Sequence, residues 1–419
     1  MIVLSHGVVD FFSALVIPIM SVLEGRASMT PAQGAVLIAA GSLASGLIQP
    51  IVSLIGDRHD TRSLGTVGLV VAALAIGLIG YADSFWMLLA LQVIGTAGVG
   101  AFHPPAAAVM GHLAGRRRGL GVSIFFAAGI LGGALGSFTA PIWARTLGIE
   151  TFLVGLIPAG VTAALLAWAT HTSEHRHADA RTAHPALPER ERAARWAAVW
   201  VLYVSNALRF IVNMAMVQVL IRWSELHVLE RDGGGLEVAS ALSPALKAEM
   251  LTPEARLLSS EVNGPLQAGM QLGMGVFGLA LGALVPARRS RLAMVLTPCV
   301  GAAGVALMPW SESAAVAFLL CVVVGGGYAG TMPASIAAAQ RLLPHRTTLA
   351  SGLMMGGAWA LACVGPPLAQ WMYDLRLLEG RANLGVVGAV FAGVLAASGL
   401  LVLLIPRRLI DGLGEAGGG

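Results

Sequence analysis

Long apolar stretches alternate with short polar ones along the whole chain. Apolar runs of spanning length occur at about 2–23, 32–55, 64–82, 86–111, 119–145 and 151–170. A polar segment follows up to about Arg195, with His171, His175, His177 and His184 among arginines and glutamates. Six more runs lie at about 196–222, 262–286, 291–309, 313–342, 347–374 and 383–405. The hydrocarbon core of a bilayer is about 30 Å thick and takes roughly 20 helical residues to cross. Backbone groups in lipid must be satisfied within each span, so the runs read as helices and not as open sheet. The expected fold is an all-α membrane protein of twelve transmembrane helices in two pseudo-symmetric six-helix bundles.

The domain reading follows the same pattern. Residues 1–170 form the first bundle, 171–195 a cytoplasmic linker, 196–405 the second bundle, and 406–419 a cytoplasmic tail. The halves repeat: the glycine-rich stretch Ile94–Ala101 aligns with Val324–Thr331 at an offset of 230. For the first helix of each half the better offset is about 200, which pairs Leu4-Ser5-His6 with Val204-Ser205-Asn206. The difference of thirty residues belongs between the seventh and eighth runs, where 223–261 reads as a periplasmic insert. Ser243-Pro244 and Thr252-Pro253-Glu254 are cap-then-proline starts, so short helices are expected in that insert.

Composition strengthens the membrane reading. Hydrophobic residues make up 56% of the chain and charged ones 11%, with a mean hydropathy of +0.78. A soluble domain carries roughly 25% charged residues. The 53 glycines suit helices that pack closely through small residues. A net charge of +4 and a pI near 9.3 would fit a nucleic-acid partner, but the arginines cluster in short loops and Lys247 is the single lysine. That is the positive-inside pattern, and no nucleic acid is expected. With the N-terminus inside, 17 of the 26 basic residues fall on the inner side, which predicts a bacterial inner-membrane protein with both termini cytoplasmic. Cys299, Cys321 and Cys363 each sit in an apolar run without metal spacing and read as packing residues. The first run is long and lacks a charged leader, so no cleavable signal peptide is expected. It starts almost at Met1, which leaves room for a few residues upstream of this start.

Several polar residues in the runs are candidates for chemistry. His6 and Asp10 lie four apart and share a helix face. Ten helical residues reach about 15 Å, so Asp10 sits inside the inner leaflet. A charge at the bilayer centre costs on the order of 2.5–3.5 kcal/mol on insertion scales, which calls for an aqueous cavity, a partner or a proton on the carboxylate. A neighbouring histidine relays protons near neutrality, so His6 and Asp10 are proton-coupling candidates, and helix packing is the plainer alternative. His103 joins them, because Pro104 and Pro105 break the hydrogen-bond ladder of the fourth run and free carbonyls beside it. Arg209 is the one basic residue deep in a span, and by the offset of 200 it lies at the level of Asp10. The two could meet across a central cavity, or Arg209 could receive an anionic substrate group bidentately. Asn206, Asn213, Gln49, Gln92, Gln267 and Gln271 are further candidates for the cavity wall. Asp57, Arg58 and Arg62 in the loop after the second run can make charge-assisted bonds that one rigid body presents to another, a cytoplasmic latch. No metal-ligand cluster is expected in a span, no cofactor is implied, and no nucleophilic triad marks an enzyme.

These residues resemble the major facilitator superfamily. Gly56-Asp57-Arg58-His59-Asp60-Thr61-Arg62 is similar to its loop signature, although Ser53 and Asp60 stand where that family has glycines. Within it, the chain resembles the fosmidomycin-resistance-like branch. The carriers are His6-x-x-x-Asp10, Gln49-Pro50 before Asp57-Arg58, Ile94-Gly95-Thr96 leading to Phe102-His103-Pro104, Arg118-Gly119-Leu120 before Ser123-Ile124-Phe125, and Leu343-Pro344-His345-Arg346 before Ser351-Gly352-Leu353. The resemblance implies a proton-driven exporter of small, anionic or amphipathic toxic compounds that alternates access between two bundles. Pro105 replaces an acidic residue common in that branch, so any role of that acid falls to Asp10 or His103, or is gone. Helix five lacks the tidy glycine-proline motif linked with antiport. The expected partners are a small-molecule substrate, protons and the lipid bilayer, and the expected state is a monomer. The alternatives are an importer or proton symporter of an organic anion such as a carboxylate, and a non-transporting membrane sensor or assembly protein.

Overall fold

The structure, a computed structural model, describes residues 1–56, 59, 62–114, 118–171, 188–232, 250–286, 289–344 and 346–410. Among these residues there are twelve helices long and apolar enough to cross a membrane. In the first half they are α1 (Ile2–Arg26), α2 (Pro31–Ile55), α3 (Ser63–Tyr81), α4 (Phe85–Met110), α5 (Ser123–Thr146) and α6 (Ile149–Thr170). In the second half they are α7 (Glu189–Arg231), α8 (Pro253–Leu284), α9 (Ser290–Trp310), α10 (Ala314–Leu342), α11 (Leu349–Asp374) and α12 (Gly380–Leu404). The expected all-α fold of two six-helix sets is observed. We call the end where α6 finishes and α7 begins the linker end.

The largest departure from the hydropathy pattern is α7. Its helix runs over 44 residues, Glu189–Asp232, and so extends beyond the expected 196–222 at both ends. At about 1.5 Å per residue it is roughly twice as long as the hydrocarbon core is thick. At the linker end Glu189, Glu191, Arg192 and Arg195 pair at helical spacing. This makes the last residues of the expected linker the first turns of α7. At the other end Trp223, Ser224, Glu225, Leu226 and Glu230 are buried. Charges that read as the start of a loop are neutralised by partners in the fold, and the helix continues through them. Thr252 and Pro253 do form a cap-then-proline start, with the Thr252 hydroxyl accepting from the Ala255 N–H. They open α8 itself and not a separate short helix. Of the expected insert 223–261, both ends are therefore helix, while 233–249, including Ser243-Pro244, lies outside the described residues, as does most of the linker.

Proline interrupts α1. Helix over Ile2–Ser13 gives way to a tight turn at Ile17–Ile19 and resumes at Met20–Arg26. Pro18 lacks an N–H, so the ladder is broken there and carbonyls are freed in a segment with no water. Asn263 of α8 reaches this break: its amide donates to the Ile17 and Pro18 carbonyls, at 3.3 Å each. A helix break in one half is thus bonded by a side chain of the other.

The halves also meet along α5 with α8 and α2 with α11. Ser42 donates to the Trp359 carbonyl at 3.1 Å, and Gln271 donates to Ser137 at 3.0 Å. A short π-helical turn at Leu353–Gly357 faces Gln49 and Pro50, each about 3.2 Å from where a Gly356 Cβ would stand. Inside the first half, α1 and α5 touch backbone to backbone: a Cβ on Gly132 would fall within van der Waals reach of Gly7, and one on Gly136 against the Phe11 carbonyl. Only glycine permits this approach, and it sets the register of α1 on α5.

Gly132→Val is therefore expected to lower stability by about 1–3 kcal/mol through overpacking. Gly278→Ala, where a Cβ meets nothing within 4 Å, is expected to be neutral. Thermal unfolding of the two purified variants in detergent checks the contrast.

Candidate functional site

The glycine contact between α1 and α5 carries His6 and Asp10 against Phe125 and Gly129. The His6 ring stacks on Phe125, with centroids 3.8 Å apart and planes at 18°, and its Nδ1 lies 2.6 Å from the Phe125 carbonyl. His103 arrives from α4, its Nδ1 2.7 Å from the Val99 carbonyl one turn back. A carbonyl can only accept, so both Nδ1 atoms carry the proton and both Nε2 atoms point at Asp10. His6 Nε2 is 3.3 Å from one carboxylate oxygen of Asp10, and His103 Nε2 is 3.3 Å from the other. The two Nε2 atoms lie 3.1 Å apart. His6 is 2% exposed, and Asp10 and His103 are partly exposed at 24% and 20%. Three titratable side chains on two helices thus converge at one point, sealed on the His6 side and open on the other. The expectation that no metal-ligand cluster lies in a span is corrected here. Candidate ligand atoms of His6, Asp10 and His103 all lie within 4.8 Å of one another. Linear spacing hid this, because the fold alone brings position 103 to position 6.

Arg209 does not meet Asp10. It is 2% exposed, and its Nη1 donates to Thr331 Oγ1 at 2.7 Å and its Nη2 to the Met294 carbonyl at 2.9 Å. Among the described residues no carboxylate pairs with it, so its charge is held by neutral groups. Thr331 also lines a cavity of about 300 Å³ between α8, α9 and α10, with Arg341 on the same wall. Asn206 donates to Ser335 at 3.0 Å, a link from α7 to α10. The sequence offset has a physical counterpart here: α1 joins α4 through His6 and His103, and α7 joins α10 through Asn206 and Arg209.

The remaining candidates divide. Gln271 crosses between the halves to Ser137, and Gln49 packs on α11, so both lie where the halves meet. Gln267 bonds Asn263 and the Val217 carbonyl inside the second half. Gln92 is buried against Gly41 of α2, and Asn213 is buried in α7. Asp57 and Arg58 lie outside the described residues, as does the side chain of Arg62.

Sequence reading missed a second charged site, at the end opposite the linker. Arg222 of α7 bonds Glu24 of α1 and, at 2.7 Å, Glu225. All three are buried, with side-chain exposures of 5%, 2% and 6%. Ser21 donates to Glu225 at 2.6 Å, and Arg256 of α8 donates to the Ser21 carbonyl at 3.0 Å. Arg145 of α5 pairs with Glu254 and Glu261 of α8 in a more exposed position. Arg222 closes the seventh apolar run, and the offset of 200 puts Glu24 at the level of Arg222 and Glu225. That signal was in the chain. At the same end Arg381 holds Glu230 through two nitrogens.

Twelve spanning helices in two matching sets, polar groups gathered between and within them, define a multi-pass membrane transporter. The family model of the Major Facilitator Superfamily matches residues 2–366, and the chain belongs to that superfamily. It is 24% identical over 408 residues to the "Fosmidomycin resistance protein" of Escherichia coli (strain K12), covering 96% of this chain and 91% of that one. It thus matches the branch its motifs resemble. It is also 28% identical over 137 residues to the "Uncharacterized MFS-type transporter YfnC" of Bacillus subtilis (strain 168), about a third of each chain. Among solved structures it is similar in fold to a bacterial homologue of the human lysosomal transporter Spinster in an inward-facing, unoccupied conformation. The TM-score is 0.64 at 13% identity, over 99% of this chain and 95% of that one. It is also similar to the nucleoside transporter NupG, with a TM-score of 0.60 at 12% identity over 96% and 97%. Family and fold are those of transporters and not of enzymes.

Arg222→Leu leaves two buried carboxylates without their cation, and it is expected to cost about 3–5 kcal/mol. Arg145→Ala, in a half-exposed pair, is expected to cost at most about 1 kcal/mol. Midpoints of thermal unfolding of the two variants beside the parent protein test this ordering.

Proposed function

We propose that this transporter is a proton-coupled exporter of a small anionic or amphipathic compound, acting as a monomer in a bacterial inner membrane with both termini cytoplasmic. The observation that carries the reading is the convergence of Asp10, His6 and His103. A carboxylate in a span is costly unless it is partnered or protonated, and two imidazoles beside it can supply or take the proton near neutral pH. Partial exposure on one side gives the proton a route in. The 24% identity to the Fosmidomycin resistance protein favours export.

Alternating access is supported by where the halves hold together. The buried Glu24–Arg222–Glu225 group, the Asn263 bonds to α1 and the Arg145 pairs all close the end opposite the linker. With the linker in the cytoplasm, this is a state closed to the outside, in keeping with the inward-facing neighbour. A rocking motion would have to break the Glu24–Arg222 link and replace it by contacts elsewhere, and Asp57, Arg58 and Arg62 remain the proposed latch at the linker end. Proton and substrate shift this balance only by their different affinities for the two states. Arg209, charged and without a carboxylate, lends positive potential to the second half, which favours an anionic substrate group.

Asp10→Asn keeps the shape of the side chain and removes its titration. In proteoliposomes it is expected to abolish flux driven by an imposed pH gradient while the protein stays folded. Flux that still follows the gradient in that variant would overturn the coupling role.

A further inference from the structure

We infer that His6, Asp10 and His103 form a binding site for a divalent transition-metal ion of the Zn²⁺, Co²⁺ or Ni²⁺ class. The inference uses the same three side chains as the proton reading but does not rest on transport.

The donor set comes first. Two imidazoles and one carboxylate, with no sulfur, suit borderline ions. Calcium takes six to eight oxygens and magnesium a near-octahedral oxygen shell, and neither is matched here. The tautomers are also set correctly. Each Nδ1–H is committed to a backbone carbonyl, Phe125 for His6 and Val99 for His103, so each Nε2 lone pair faces the shared centre. Ligating histidines in metal sites are oriented by this kind of outer hydrogen bond.

The distances fit as well. Metal–nitrogen bonds of about 2.0–2.1 Å in a tetrahedron place neighbouring donors about 3.3–3.4 Å apart. In this cluster the two Nε2 atoms are 3.1 Å apart, with His6 Nε2 3.3 Å from Asp10 Oδ2 and His103 Nε2 3.3 Å from Asp10 Oδ1, so the carboxylate would hold the ion through both oxygens. Two Nε2 lone pairs this close repel unless something positive lies between them, and a metal ion, like a proton, meets that need. The rings are held in place: His6 is stacked on Phe125 and 6.0 Å from Phe102. Space is kept by Gly129, where a Cβ would stand 2.5 Å from Asp10 Oδ2 and 2.5 Å from His6 Nε2. The partial exposure of Asp10 and His103 leaves positions for water or a substrate atom on the ion.

The test uses full-length, untagged protein in detergent, titrated with Co²⁺ while its visible absorption is recorded, and with Zn²⁺ in competition. The expected result is one Co²⁺ per chain with the intense band of a four- or five-coordinate ion, displaced by Zn²⁺. Affinity should fall by more than about tenfold in His103→Ala and in Asp10→Asn, the latter nearly isosteric and therefore the safer fold. Gly129→Ala, which keeps all three ligands but crowds them, should weaken binding similarly. Thermal unfolding of each variant without metal shows that it is folded. Absence of the band, or an equal band and affinity in wild type and folded Asp10→Asn, overturns the site and sends any bound metal to other histidines such as those of the linker. No gradient or substrate enters the measurement. Failure here therefore leaves the proton reading standing, and failure of the flux experiment leaves the metal site standing.

Discussion

Lipid offers no hydrogen bonds, and most of the structure follows from that. Each spanning backbone must satisfy itself as helix, and each break or charge within a span needs a partner from another helix. Pro18 opens the ladder of α1, and Asn263 of the other half bonds carbonyls at that break. Arg209 enters the second half and is met by Thr331 and a carbonyl. Arg222 lies between two glutamates. Polar groups, few as they are, therefore act as the specific links in an otherwise apolar assembly packed through glycine.

The two halves use the same helix pairs for different chemistry. The first and fourth helices of each half are tied by polar side chains, an arrangement that gene-scale repetition would leave behind. In the first half the tie is His6–Asp10–His103, whose charge can change with a proton or a bound ion. In the second it is Asn206 with Ser335 and Arg209 with Thr331, whose charge is constant. The same helix pair thus carries a titratable group in one half and a fixed cation in the other.

Strength is distributed unevenly between the halves. The buried charges at the end opposite the linker are strong only while all members are present, because each was desolvated to form the group. The exposed Arg145 pairs are weak by comparison. A group of this kind favours one closed arrangement without making it permanent: separating the halves there would return the charges to water and recover part of the desolvation cost.

Much of this was legible in the chain, because a span is a local property: hydropathy and length decide it residue by residue. The twelve helices and the i,i+4 pairing of His6 with Asp10 follow from near neighbours, and the repeat from its fixed offset. The proline break does not: α4 runs unbroken through Pro104 and Pro105, while α1 breaks at Pro18. The length of α7 was not legible, since its terminal charges look like a loop until Glu24 and Arg381 are placed beside them. Nor was the partner of Asp10. Depth in the membrane can be read from an offset, and it put Arg209 level with Asp10. Direction around a helix axis is set by packing against other helices, however, and the Gly7–Gly132 contact turns Asp10 toward His103 instead. Hydropathy and length thus located the twelve spanning helices along the chain. Which of them touch came from the fold, because contact between distant helices depends on rotation and close approach that no local pattern encodes.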